Sequence, residues 1–404
     1  MTINLSEVDL STSDFWMGDP YPTLKWLREN DPVYKHPAPV GGRAFWAVTK
    51  YDDIVAISKN PSTFVSARGI GLVEQAALGA APPSLVDLDD PGHKWMRALV
   101  SKGFTPGMIK RLEPHVRELV TDILDRVAGL RECDFVAEVA AQLPVAVIGE
   151  MLGVPREDQH LIKEWSDAIS EGIAGGADGE FSSDALSAMQ HMFGYLAQMQ
   201  EDRATAPRDD LVSILMQAEV DGQKLTLAER QGFFLLLEFA GNETTRNVLS
   251  GGMLALSENP DQKARLISDP GLMQTAAEEM LRWTSPVTYF RRTVVRDTEL
   301  RGQQLREGDW VVMFFGSGNR DEETFADADE FDVGRSPNPQ IAFGGGGPHF
   351  CLGAALGRLE IRVMFEELFK RFPGVDVVGP PQRTPSNFIR GFTSMPVDLG
   401  REQQ

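Results

Sequence analysis

Cys351 stands in an unusual setting. The segment Ala342–Gly353 reads AFGGGGPHFCLG, with four consecutive glycines before Pro348, His349 and the cysteine. Glycines let a backbone turn tightly and approach a flat ligand closely. Helical spacing resumes at once and predicts a helix over Ala354–Phe372. A thiol at a helix N-terminus has its thiolate form stabilised by the helix dipole. A phosphate-binding loop is excluded, because the Gly-Lys-Ser/Thr ending is missing and Gly-x-Gly-x-x-Gly spacing fails at His349. Zinc is excluded too: Cys133 is the only other cysteine, and no His pair has zinc spacing. An isolated cysteine is by default a buried structural residue, but the glycine-rich setting argues for a ligand.

Three further constellations carry polar groups. Ala240-Gly241-Asn242-Glu243-Thr244-Thr245 interrupts a long apolar helical stretch with poor helix formers and a carboxylate that is costly there unless partnered. Ala240 and Thr244 are spaced i,i+4 and share one face, so a small residue and a hydroxyl beside an acid form a pocket wall with a proton path. The plain alternative is a kinked helix with a satisfied acid. Glu279 and Arg282 are spaced i,i+3, which by itself describes a solvated surface pair. His93 and Arg97, after Asp90-Pro91-Gly92, are spaced i,i+4, again by itself a solvated face.

The elements that must position these groups are mostly helical. Apolar spacing predicts helices over Ile109–Val127, Pro155–Glu171, Ser183–Asp202, Leu227–Leu256, Asn259–Ser268 and Leu272–Trp283. The stretch Leu227–Leu256, broken only by Glu238 and the polar run, reads as a helix buried through the middle of the protein. Strands are expected at Ala44–Thr49, Thr293–Leu300 and Asp309–Phe315. Gly69–Pro83 and Gly172–Gly179 read as loops, neither long enough to separate autonomous domains, so one domain over 1–404 is expected.

Composition narrows the function classes. The chain has 404 residues, 42% of them apolar and 24% charged, which excludes a disordered chain. Two cysteines cannot form a disulfide scaffold. A net charge of −20 argues against nucleic acid and anionic membranes as partners. No signal peptide and no membrane anchor are expected, so a cytoplasmic location is the default.

Taken together, H-x-x-x-R, A-G-x-E-T-T, E-x-x-R and F…C-x-G, in this order and spacing, resemble the cytochrome P-450 superfamily of heme-thiolate monooxygenases. Asn319-Arg320-Asp321 with Phe325 and Phe331-Asp332 resembles the segment that family carries before its cysteine loop. The resemblance implies a mainly α fold with small β-sheets (α+β) and a long central helix over a buried heme b. It implies Cys351 as axial thiolate on the iron, His93, Arg97, Arg292 and His349 as partners of the heme propionates, Glu243 and Thr244 as the acid–alcohol pair of oxygen activation, and Glu279–Arg282 as a structural ion pair. Candidate pocket residues are Leu236, Phe239, Ala240, Val287, Thr288 and Met395. One glycine more than the family's usual loop separates Phe343 from Cys351, which puts the placing of Phe343 against the thiolate in question. Gln340 and Ala328 replace a frequent His and Pro.

The extra glycine and A-G-N-E-T-T-R-N look most like actinobacterial members that hydroxylate sterol side chains and methyl-branched lipids. The implied reaction uses O2, with electrons from a separate ferredoxin and ferredoxin reductase, since the chain carries no flavin or nicotinamide motif. Lys94, Lys102, Lys110 and Arg358 are candidates for a basic docking patch. The alternative substrate is a small aromatic or a monoterpene. A non-catalytic heme-thiolate sensor or a peroxide-driven enzyme would not need Glu243 and Thr244. A di-iron carboxylate oxygenase needs two E-x-x-H motifs, and Glu157–His160 is the only one.

Overall fold

The computed structural model describes residues 5, 8–38, 42–72, 84–175 and 182–402. Its axis is the central helix, Leu227–Glu258, of 32 residues. Thr226 starts it with a capping box: its hydroxyl accepts from the Glu229 N–H, and the Glu229 carboxylate accepts from the Thr226 N–H. The helix runs unbroken through Gly241-Asn242-Glu243, so the polar run does not end it. Gly241 is explained by packing. A Cβ there would lie 2.5 Å from Ile148 on the crossing helix Gln142–Leu152.

That crossing helix has no counterpart among the expected elements. Leu143, Val145, Val147, Ile148, Met151 and Leu152 are all buried, so it is apolar all round and shows no one-sided periodicity. The central helix also packs on Met273–Thr284 and on the C-terminal helix Ala354–Arg371, around one large apolar core. The other expected helices are present, with ends shifted by a few residues. Two short N-terminal helices, Tyr21–Asn30 and Tyr51–Ser58, were not expected.

A five-stranded sheet lies beside this helical body, in the order Val33–His36, Phe45–Val48, Trp310–Phe314, Tyr289–Val294, Phe64–Val65. Only the contact of Phe45–Val48 with Trp310–Phe314 is parallel. Both of those strands are buried along their whole length, which is why they read as continuous apolar runs. The expected strand Thr293–Leu300 is instead two pieces. Val294 ends the sheet strand, and Thr298–Leu300 forms a hairpin with Gln303–Leu305. Arg301 and Gly302, with φ of 48° and 78°, make its tight turn.

One expected loop needs correction. Gly172–Gly175 is still helical, the end of Gln159–Gly175, and the rest of that loop lies outside the described residues. Of the loop expected over Gly69–Pro83, only 69–72 are described, and they are irregular. No helix among the described residues is long and apolar enough to cross a membrane.

Candidate functional site

The cysteine loop is held by the helix Tyr51–Ser58. Gly344, Gly346 and Gly347 take φ of 95°, 85° and 75°, a left-handed run closed to most other residues. At Gly347 a Cβ would stand 2.2 Å from the Ser58 carbonyl oxygen. The extra residue is absorbed within this run, and the Cys351 N–H still donates to the Phe343 carbonyl at 3.0 Å. Phe343 therefore stays beside the cysteine, with the Arg358 guanidinium 4.6 Å from its ring centroid. Cys351 is a free, exposed cysteine. Burial pushes its thiol up, against the Gly353 N–H and the charges of Arg97 and Arg358. Those three groups are what a thiolate ligand needs around it.

Four cationic or imidazole side chains converge next to it. His93, on the helix Gly92–Val100, and His349 have ring centroids 4.1 Å apart. His93 is 2% exposed and its Nε2 has no hydrogen-bond partner. His349 Nε2 lies 3.2 Å from Ser66 Oγ. Arg97 donates to the Phe350 carbonyl at 2.7 Å. Arg292 is delivered by the sheet. Neighbours in a strand point to opposite faces, so Arg291 turns away to stack on Trp310 at 3.8 Å while Arg292 joins the histidines. Burial and the charges of Arg292, His93 and Arg97 push His349 down to about 3. Burial holds Arg292 down to about 10, opposed by Asp89 and Asp87. Two guanidiniums, Arg97 and Arg292, beside an orphaned imidazole nitrogen make a receptor for carboxylates. It fits a heme with two propionates, set beside a cysteine suited to its iron. Among the described residues no cluster of three or more His, Cys, Asp or Glu side chains could hold a metal ion.

On the central helix, Ala240 is exposed and Thr244 half-buried although the element is internal, so this face fronts a cleft rather than protein. The Thr244 hydroxyl donates to the Ala240 carbonyl at 2.6 Å. Glu243 is buried and ion-paired with Arg246, a partner that sequence reasoning did not single out, although i,i+3 spacing was the available signal. Leu236 precedes Ala240 by four residues and so shares this face. Leu236, Phe239 and Val287 are partly buried. Thr288 is 3% exposed with its hydroxyl unpartnered. Met395 is fully buried in the main core, and its backbone N–H donates to the Asp134 carboxylate.

Glu279 and Arg282, which by spacing alone describe a solvated pair, are both wholly buried and bidentate, with both N–O distances 2.8 Å. Arg335 and Asn338 also bind Glu279. Glu238 is the acid that has no such help. It lies 2% exposed beside Ser166, Met192 and Phe239, both oxygens are unpartnered, and burial pushes it up to about 8. Folding therefore raises its pKa, and its neutral form is stable in the folded protein from about 4.5 to about 8. Over that window the folded state holds a proton the unfolded chain has lost, so stability falls as pH rises. Glu238→Gln is expected to match the wild type at pH 5 and to exceed it by on the order of a few kcal/mol at pH 8.5. Denaturant midpoints of the heme-loaded protein at the two pH values check this, and a pH-independent difference contradicts it.

Comparison with known proteins places these features. A family model described as Cytochrome P450 matches residues 180–394. The methyl-branched lipid omega-hydroxylase of Mycobacterium tuberculosis is 41% identical over 98% of this chain and 95% of its own. A steroid C26-monooxygenase of Rhodococcus jostii is 37% identical over 94% of this chain and 82% of its own. The solved structure of a Mycobacterium marinum cytochrome P450 in complex with pseudoionone is 37% identical, covers 97% of this chain and 98% of its own, and superposes with a TM-score of 0.89.

Proposed function

Since the chain belongs to the cytochrome P450 family and is a monooxygenase of it, we propose that it hydroxylates an apolar lipid, a methyl-branched chain or sterol side chain, at or near its terminus. The observation that carries this is the apolar, partly exposed series Leu236, Phe239 and Ala240 leading to Thr244 along the central helix. Apolar lining selects by burial, at about 25 cal/mol per Å² removed from water, while an ionic substrate would strand its charge there at several kcal/mol. The names of the two bacterial relatives point the same way.

Cys351 would hold the heme iron, and His93, Arg97, Arg292 and His349 its propionates. Bound there, a thiolate-ligated heme supplies reductive O2 activation and transfer of one oxygen atom to a C–H bond, the other leaving as water. The chain's own part is positioning and proton supply. Leu236, Phe239 and Val287 exclude water and orient one end of the substrate toward Ala240. The Thr244 hydroxyl gives one hydrogen bond to the Ala240 carbonyl and keeps its lone pairs open to the cleft. Glu243 holds a carboxylate one residue away, restrained by Arg246 until that pair opens, and passes protons inward. Thr244→Ala is accordingly expected to keep consuming NADH and O2 while product per NADH falls by about tenfold or more and peroxide rises. Unchanged coupling would give proton delivery to another group.

Electrons are proposed to come from a separate ferredoxin and its reductase in the cytoplasm. Lys94 and Lys110 are exposed and available for such a partner. Lys102 donates to the Glu219 carbonyl and Arg358 is bound to Glu278, so these two are already engaged.

The decisive experiment titrates the heme protein with a methyl-branched fatty acid, cholestenone, a monoterpene and a small polar aromatic, then analyses products. A spin-state shift and terminal hydroxylation with either lipid is expected. Turnover of the aromatic with no response to any lipid overturns the substrate reading and leaves the monooxygenase standing.

A further inference from the structure

The face of the central helix that carries Ala240 and Thr244 continues, at helical spacing, through Asn247, Gly251, Leu254 and Glu258. These residues form one wall of a second cleft, of about 660 Å³, that does not include Cys351 or the cationic cluster beside it. Its other walls come from the start of the helix Tyr21–Asn30, from Trp283 and Arg320, and from Arg383 and Arg390 near the C-terminus. In a chain of net charge −20, this cleft gathers three guanidiniums.

Their hydrogen bonding is incomplete. Arg320 is 7% exposed and lies between two aromatic rings, 3.7 Å from the centroids of both Tyr21 and Trp283. Its Nε has no partner, and its nearest carboxylate, Asp329 at 3.7 Å, already binds Lys25 at 2.9 Å. Arg390 spends one donor on the Trp16 carbonyl. Arg383 donates no side-chain hydrogen bond among the described residues and rests 5.0 Å from the Phe392 ring centroid. Asn247, 1% exposed, lines the same cleft with both its amide nitrogen and oxygen unpartnered. Tyr21 reports the potential. Burial raises its phenol, yet Arg320, Arg390 and Arg383 together hold it below the usual tyrosine range.

Buried polar groups without partners are rare and costly, and planar guanidinium forks match oxyanions bidentately. We propose that this cleft is a binding site for a small oxyanion, a carboxylate or phosphate, held by Arg383, Arg390 and Arg320, with any flat apolar body of the ligand against Trp283. Asp19, Glu258 and Asp329 also line the cleft and set a limit on affinity, because they oppose the incoming charge. The site lies one face-length along the helix from Thr244 and is independent of the substrate proposed above.

The test uses the heme-loaded protein in a chloride-poor zwitterionic buffer, titrated by calorimetry with inorganic phosphate in one arm and benzoate in the other. Millimolar or tighter binding is expected in at least one arm, and the tighter arm identifies phosphate or carboxylate as the preferred anion. Arg383→Gln removes a cation that supports no protein hydrogen bond and is expected to weaken binding at least tenfold. Glu258→Gln removes an opposing charge and is expected to tighten it. The heme absorption spectrum is followed in parallel, since benzoate entering the heme pocket would shift it and binding in this cleft would not. Absence of binding in both arms overturns the proposal, as does binding that neither substitution alters.

Discussion

Cys351→Ser is expected to abolish the strongly red-shifted Soret band of the reduced, carbon-monoxide-bound protein and all hydroxylase activity with it. The loop geometry makes this a clean substitution. The backbone bond from Cys351 to Phe343 and the left-handed glycines do not depend on the sulfur, so the loop is expected to keep its shape. The hydroxyl of serine is far less acidic than a thiol and supplies no comparable electron density to iron. Heme retention is expected to persist in part, because the proposed propionate partners His93, Arg97, Arg292 and His349 cluster without any help from the sulfur. The check is the reduced carbon-monoxide spectrum together with heme content. A wild-type spectrum characteristic of histidine ligation, or a serine variant that keeps the thiolate band, would remove Cys351 from the iron.

Arg282→Ala is expected to cost about 3–5 kcal/mol, the range for removing one partner of a buried ion pair. Arg282 is wholly buried, and its guanidinium does two jobs. It binds Glu279 through two nitrogens, and it caps the carbonyls of Asn319, Ala328 and Glu330. Alanine leaves those three carbonyls without that donor and leaves Glu279 to Arg335, Asn338 and the Asp332 N–H. Lysine keeps the charge but not the fork and is expected to recover little of the loss. The segment so anchored also positions the heme side of the molecule, since Asn319 Oδ1 accepts from the Ile341 N–H just before the cysteine loop. Denaturant unfolding with heme content read in parallel tests this. A loss under 1 kcal/mol would reduce the pair to an ordinary surface contact.

The helix Ala354–Arg371 was legible from helical apolar spacing, and the fully buried strand Trp310–Phe314 from a short continuous run of β-formers. The helix Gln142–Leu152 escaped because burial on every side erases periodicity. The break of Thr293–Leu300 into sheet strand and hairpin falls at 295–297, where Val295-Arg296-Asp297 carries no glycine or proline to mark it.

The order and spacing of four short motifs determined the family, and with it the expected ligand, because the chemistry at each needs particular residue types at particular separations. Tertiary structure alone decided which charges matter. Spacing cannot distinguish the wholly buried Glu279–Arg282 pair from a solvated one, nor show that Glu243 is held by Arg246. It cannot show that Arg291 and Arg292, adjacent in sequence, serve opposite faces of a sheet, or that Met395 belongs to the core. The physical reason is common to all of these. The worth of a charge or a side chain depends on the solvent it has lost and the partners it has met, and the packing of the whole fold, not spacing, sets both.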